Sequence, residues 1–142
     1  MKALTIKQPW ASLIAHGIKD IENRTWKTNF RGGIYIHASA KESGSLYELL
    51  NDKQIKAASN HWTAAPPFPY RPLAAIIGEV DIVDCVINAP SIWAEKTDLS
   101  EGVYFKPIYN WVLSNPILYD KPILNVKGKL SFWEPDLSIF QK

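Results

Sequence analysis

The sequence predicts an α+β fold, a small, partly closed mixed β-barrel with helices at its periphery. Three observations carry this. Several short strand-like runs are separated by Gly, Pro and Asn turns, and helical spacing is confined to two places, after Pro9 and after Glu42. The length, 142 residues, suits one core rather than two. With 46% of residues hydrophobic and 21% charged, the chain has the composition of a folded domain and not of a disordered one.

Ala3-Leu4-Thr5-Ile6 alternates and reads as a first strand. Pro9 follows at the first turn of a helix, where the N–H it lacks would have had no partner. Trp10, Leu13, Ile14 and Ile18 recur at helical spacing, and His16-Gly17 predicts a left-handed stop. Lys19 to Trp26 alternates as a strand, with Ile21, Asn23 and Thr25 on one side and Asp20, Glu22, Arg24 and Trp26 on the other. Arg31-Gly32-Gly33 turns the chain into a strand over 33–38, whose Ile34 and Ile36 face the core. Tyr35 and His37 take the opposite parity, His37 as a hydrogen-bonded structural histidine.

Leu46, Leu49, Leu50, Ile55 and Ala58 predict one or two helices between Glu42 and Asn60, and the prolines of 64–72 predict a loop. Together they make a helical and Pro-rich insertion over about 42–73 in a single domain spanning 1–142. The strongest strand lies over 73–87. Ile76, Val80, Ile82 and Val86 share one face, with Glu79, Asp81 and a small apolar filler, Cys85, on the other. Gly78 inside this run marks a bulge or a close backbone approach. Further strands are predicted at 103–106, 109–113 and 130–133, with Trp111, Phe132 and Trp133 in the barrel core or at its rim.

Much chemistry is excluded. No apolar run approaches the roughly 20 residues that span a bilayer, so no membrane partner is expected. Lys7 interrupts the start too early for a secretory leader, and a single cysteine cannot form an internal disulfide; the expected location is cytoplasmic. His16, His37 and His61 show no close ligand pair, so no metal is expected. With no Gly-rich phosphate loop and no Gly-x-Ser-x-Gly elbow, no cofactor is expected either.

The net charge of +2 conceals an asymmetry. Residues 1–41 carry +5, residues 42–105 carry −5, and residues 106–142 carry +2. If the two ends pack together, the molecule has a basic face suited to phosphate-bearing ligands. The densest polar segment is Lys19-x-x-Glu22-Asn23-Arg24-x-Trp26, with Trp10 before it and Arg31 after it. A carboxylate between two cations beside indole rings makes a pocket wall. Glu22 would accept the N–H groups of a base, Trp10 or Trp26 would stack it, and Lys19, Arg24 or Arg31 would hold anionic oxygen. Lys127-Gly128-Lys129 is a turn whose lysines are further candidates for phosphate contact.

Three early segments, Leu4–Ile14 with its Gln8-Pro9-Trp10, Gly17–Trp26 with its Gly17-x-Lys19-x-x-Glu22-x-Arg24, and Arg31–Ser39, resemble the ASCH domain family, as do 78–86 and 127–133. The resemblance implies a PUA-like barrel with a cleft between barrel and first helix that takes RNA or a nucleotide- or nucleoside-like ligand. It implies binding roles for Gln8, Trp10, Lys19, Glu22 and Arg24. Some small members are amidohydrolases that remove the acyl group of acetylated cytidine with a Lys, a Thr three positions later and a distant Glu. Lys19 aligns with that Lys, while Glu22 stands at the Thr position. The enzymatic alternative is therefore a small amidohydrolase or ribonuclease with Lys19 as general base and Glu22 or Glu79 orienting water or substrate.

Overall fold

The computed structural model describes residues 1–59 and 71–138. Most of the proline-rich loop expected over 64–72 lies outside the described residues. The elements are β1 (Ala3–Gln8), α1 (Trp10–Ala15), β2 (Ile21–Arg24), β3 (Gly32–Glu42), α2 (Leu46–Leu49), α3 (Asp52–Ser59), β4 (Ala75–Val86), a 3₁₀ segment (Leu99–Tyr104), β5 (Tyr109–Ile123) and β6 (Phe132–Trp133).

Six strands form one sheet in the order β2-β5-β4-β3-β1-β6. Only β1 and β3 pair in parallel, because α1 and β2 intervene and supply the crossover that parallel pairing requires. The β4–β5 ladder shifts register at Ile76/Gly78, Glu79/Asp81 and Ile82/Asp84, and such irregularities bend and twist a strand pair. Gly78 permits the tightest of these approaches, since a Cβ there would stand 2.1 Å from the carbonyl oxygen of Ile117.

The bent sheet is a curled half-barrel whose ends approach one another. Arg24 Nη2 on β2 donates to the Thr5 carbonyl on β1 at 3.0 Å, although the two strands do not pair. Beside this seam Trp26 meets Trp111 edge-on at 4.6 Å and Phe132 of β6 at 5.7 Å. Inside the curl, Leu4, Ile6, Ile34, Ile36, Ile77, Val80, Ile82 and Trp111 form the main core. Outside it, Leu13 of α1 packs with Ile21, Leu46, Leu50, Ala58, Ala89 and Trp93, so the insertion helices share an outer core with α1, β2 and the 89–93 segment.

Several strands differ from expectation: the one expected over 33–38 runs on to Glu42, and the one expected over 19–26 is confined to Ile21–Arg24. Residues 103–106 are not a strand. Gly102 takes φ 61° and 99–104 winds as a 3₁₀ segment with Val103 and Tyr104 exposed. The strand expected over 109–113 runs to Ile123, with Asn115 taking φ 55° just before Pro116. The strand expected over 130–133 shrinks to Phe132–Trp133, because Ser131 takes φ 59°, outside the strand region.

Candidate ligand-binding cleft

The site begins where α1 stops. Gly17 takes φ 77°, and the N–H groups of Ile18 and Lys19 both donate to the Leu13 carbonyl. This tight turn carries Lys19 back beneath the helix, where it is 4% exposed and its Nζ lies 5.4 Å from the Trp10 ring centroid. The ammonium donates to the Ile21 carbonyl and stands 3.8 Å from Glu22 Oε1. Burial pulls the Lys19 pKa below its usual 10.5, opposed by the charges of Glu22, Glu95 and Asp20.

Strand alternation sets the remaining geometry. Ile21 points into the outer core while Glu22 and Arg24 point the other way. Glu22 Oε2 accepts from Arg24 Nε at 3.0 Å and forms an ion pair with Arg24 Nη2 at 2.8 Å. Oε1 is left facing Lys19, beyond hydrogen-bond distance. The Arg24 guanidinium also lies 5.9 Å from the Trp111 ring, so one side chain ties the carboxylate, the β1 backbone and the aromatic core together.

Above this triad is a cleft of about 470 Å³, within the range that holds small ligands. Lys7, Lys19, Arg24 and Lys129 set four cations around it against two carboxylates, Glu22 and Glu95, and Trp10 supplies aromatic wall. Trp10, Lys19, Glu22 and Arg24 are thus brought together as the sequence predicts.

Gln8, Trp26 and Arg31 are not in the cleft lining. Gln8 is fully buried, its Oε1 accepting from Ser12 N–H and its Nε2 donating to Ser12 Oγ and the Pro72 carbonyl. It fastens β1 to α1 and to the far end of the insertion. Trp26 belongs to the aromatic core, and Arg31 is half-exposed, 3.7 Å from Asp84. Thr25, next to the triad, is exposed and outside the cleft.

Sequence reasoning missed two groups. Asn23 Oδ1 accepts from Glu95 N–H and from Asn110 Nδ2, and its Nδ2 donates to the Trp93 carbonyl. Asn110, fully buried on β5, also binds the Glu95 carbonyl and the Ala89 N–H. These two amides bind the Glu95 N–H and carbonyl and so help to put Glu95 at the cleft. The only sequence signal was the pair of amides itself, on strands 87 residues apart. Lys7, exposed on β1, carries no motif. Among the described residues no helix is long and apolar enough to cross a membrane, and no group of three or more His, Cys, Asp or Glu side chains is placed to hold a metal ion.

A curled mixed half-barrel with short outer helices is the architecture of a PUA-like domain. The ASCH domain family model matches residues 4–123, and the chain belongs to that family. It is 34% identical over 148 aligned positions to Activating signal cointegrator 1 of Homo sapiens, and 28% identical to Activating signal cointegrator 1 of Mus musculus. Each alignment covers 97% of this chain but 23% of the relative, so the chain spans about a quarter of the length of these proteins.

Proposed function

We propose that this ASCH domain binds RNA, seating one nucleotide in the cleft at the barrel seam. The observation that carries the reading is the buried Lys19–Glu22–Arg24 array beneath a cleft with a surplus of two positive charges. Glu22 Oε1 accepts an exocyclic amine of the base, Trp10 packs against the base, and Lys7 and Lys129 take phosphate oxygen. Because Lys19 and Arg24 already hold Glu22 in place, the acceptor is oriented before ligand arrives, which reduces the ordering cost of binding.

The depressed basicity of Lys19 supports a second reading, a hydrolase of acylated nucleosides or of RNA in which neutral Lys19 takes a proton from water. One panel separates the two. Nucleoside 5′-monophosphates, short single-stranded RNAs and acetylated cytidine are titrated and assayed for turnover with wild type, Arg24→Gln and Lys19→Met, each checked for folding by thermal melting. Binding without turnover is expected, and Arg24→Gln, which leaves Glu22 short of a partner, should weaken it by about 2–5 kcal/mol. Release of acetate or strand cleavage that Lys19→Met abolishes would make the domain an enzyme. Failure of every RNA to bind wild type at low salt would end the binding reading.

A further inference from the structure

The 125–131 segment separates the cleft from a second one of about 580 Å³, and Thr5, Ser39, Lys129 and Leu130 line both. The segment is firmly seated. Val126 donates its N–H to the Ala74 carbonyl at 2.8 Å and accepts from His37 Nε2 at 2.6 Å. Gly128 then lies against the floor, where an added Cβ would stand 2.7 Å from both Thr5 Oγ1 and His37 Cε1. Beyond it, β6 returns to pair with β1, and Trp133 Nε1 donates to Thr5 Oγ1 at 3.1 Å. Between these anchors Lys129 and Leu130 stand clear, Leu130 at 95% exposure. Single exposed leucines are ordinary. The position of this one, on the wall common to two clefts with a lysine beside it, is not explained by packing.

We infer that the two clefts are consecutive nucleotide sites for one strand of RNA, with Lys129 on the phosphate that links them and Leu130 as the partition against which the two bases pack. The inference rests on the reading of the first cleft given above. The second cleft adds Lys127, and Ala40, Ala74 and Val126 give it an apolar stretch of wall, as suits a base or ribose face. His37 serves as floor, both ring nitrogens being engaged by Thr5 and Val126. A partition of this kind demands splayed bases, so the ligand is single-stranded.

The test compares the four ribonucleoside 5′-monophosphates with the matching homodinucleotides by isothermal titration, using wild type, Leu130→Ser and Lys127→Gln. Both variants lie on exposed side chains, and thermal melting verifies that they fold. A second packed base predicts a dinucleotide that binds roughly five- to one-hundred-fold more tightly than its mononucleotide. Either substitution should bring that ratio toward one. Equal affinity for mono- and dinucleotide in wild type, or a ratio that survives both substitutions, overturns the two-site inference and leaves the first cleft standing. Absence of binding by any mono- or dinucleotide overturns the first-cleft reading, and this one with it.

Discussion

His37 has a single tautomer compatible with its neighbours. The Val126 carbonyl can only accept, so Nε2 carries the proton and Nδ1 accepts from the Thr5 hydroxyl, which itself accepts from Trp133 Nε1. Protonating Nδ1 reverses its bond to Thr5, whose hydroxyl must then accept from both His37 and Trp133, and burial holds the His37 pKa below its usual 6.5 despite the favourable Val126 contact. The linkage then has a definite sign. Between the lowered folded pKa and 6.5 the unfolded chain binds a proton that the native one does not, so stability falls as the pH falls below about 6.5. Denaturant unfolding of wild type from pH 7.5 to pH 5 should lose more stability than the same series on His37→Gln. Parallel pH profiles would show that burial does not keep the His37 imidazole neutral in the folded protein. At this scale the sequence was legible where local geometry decides. Alternation alone puts Glu22 and Arg24 on one side, and Gly17 implies the turn that delivers Lys19. It was not legible for Gln8, Trp26 and Arg31, whose roles depend on Pro72, Trp111 and Asp84, far along the chain.

Among elements, the 89–95 segment has no regular structure, and its ends are fixed by the Asn23 and Asn110 amides while Ser91 donates to Asp20, Gln54 donates to the Ile92 carbonyl and Trp93 packs in the outer core. Asn110 contributes bonds to Asn23, Glu95 and Ala89 from a site with no access to water. Asn110→Ala leaves the Ala89 N–H without that acceptor and removes one tie on the Glu95 carbonyl. It should destabilise the domain by about 2–3 kcal/mol, the cost of burying an unsatisfied polar group plus a lost bond. Hydrogen exchange should quicken at Ala89 and Glu95 before it does so in β3 or β4. A global stability loss with uniform exchange would mean that Asn110 supports the barrel and not the segment. The same long-range logic explains the misplaced strand. Residues 103–106 have the hydrophobicity of a strand but find no partner edge, whereas β5 continues past Pro116 because β4 offers it a ladder on the far side of the bulge. Hydrophobic pattern announces strands; pairing decides which of them form.

For the whole molecule, the charge asymmetry along the chain becomes an asymmetry in space. β1 pairs with both β3 and β6, so the basic first segment and the basic last segment meet at the two clefts, and the acidic middle contributes Glu95 to the first. The cations there divide into two kinds. Lys19 and Arg24 are spent on Glu22, while Lys7, Lys127 and Lys129 enter no ion pair among the described residues and remain able to neutralise phosphate. RNA binding should therefore depend on salt to the extent of these three lysines and no more. With about 0.7 counterions released per phosphate neutralised on a single strand, the slope of log K against log salt should be about −2 between 50 and 200 mM. Lys129→Gln should make it shallower by about 0.7, with the same change for every RNA sequence, because a phosphate contact carries no base identity. Arg24→Gln should instead lower affinity while leaving the slope nearly intact. A salt-independent affinity would mean that the ligand is neutral, a base or nucleoside held by Glu22 alone, and that the basic surface around the seam serves solubility rather than recognition.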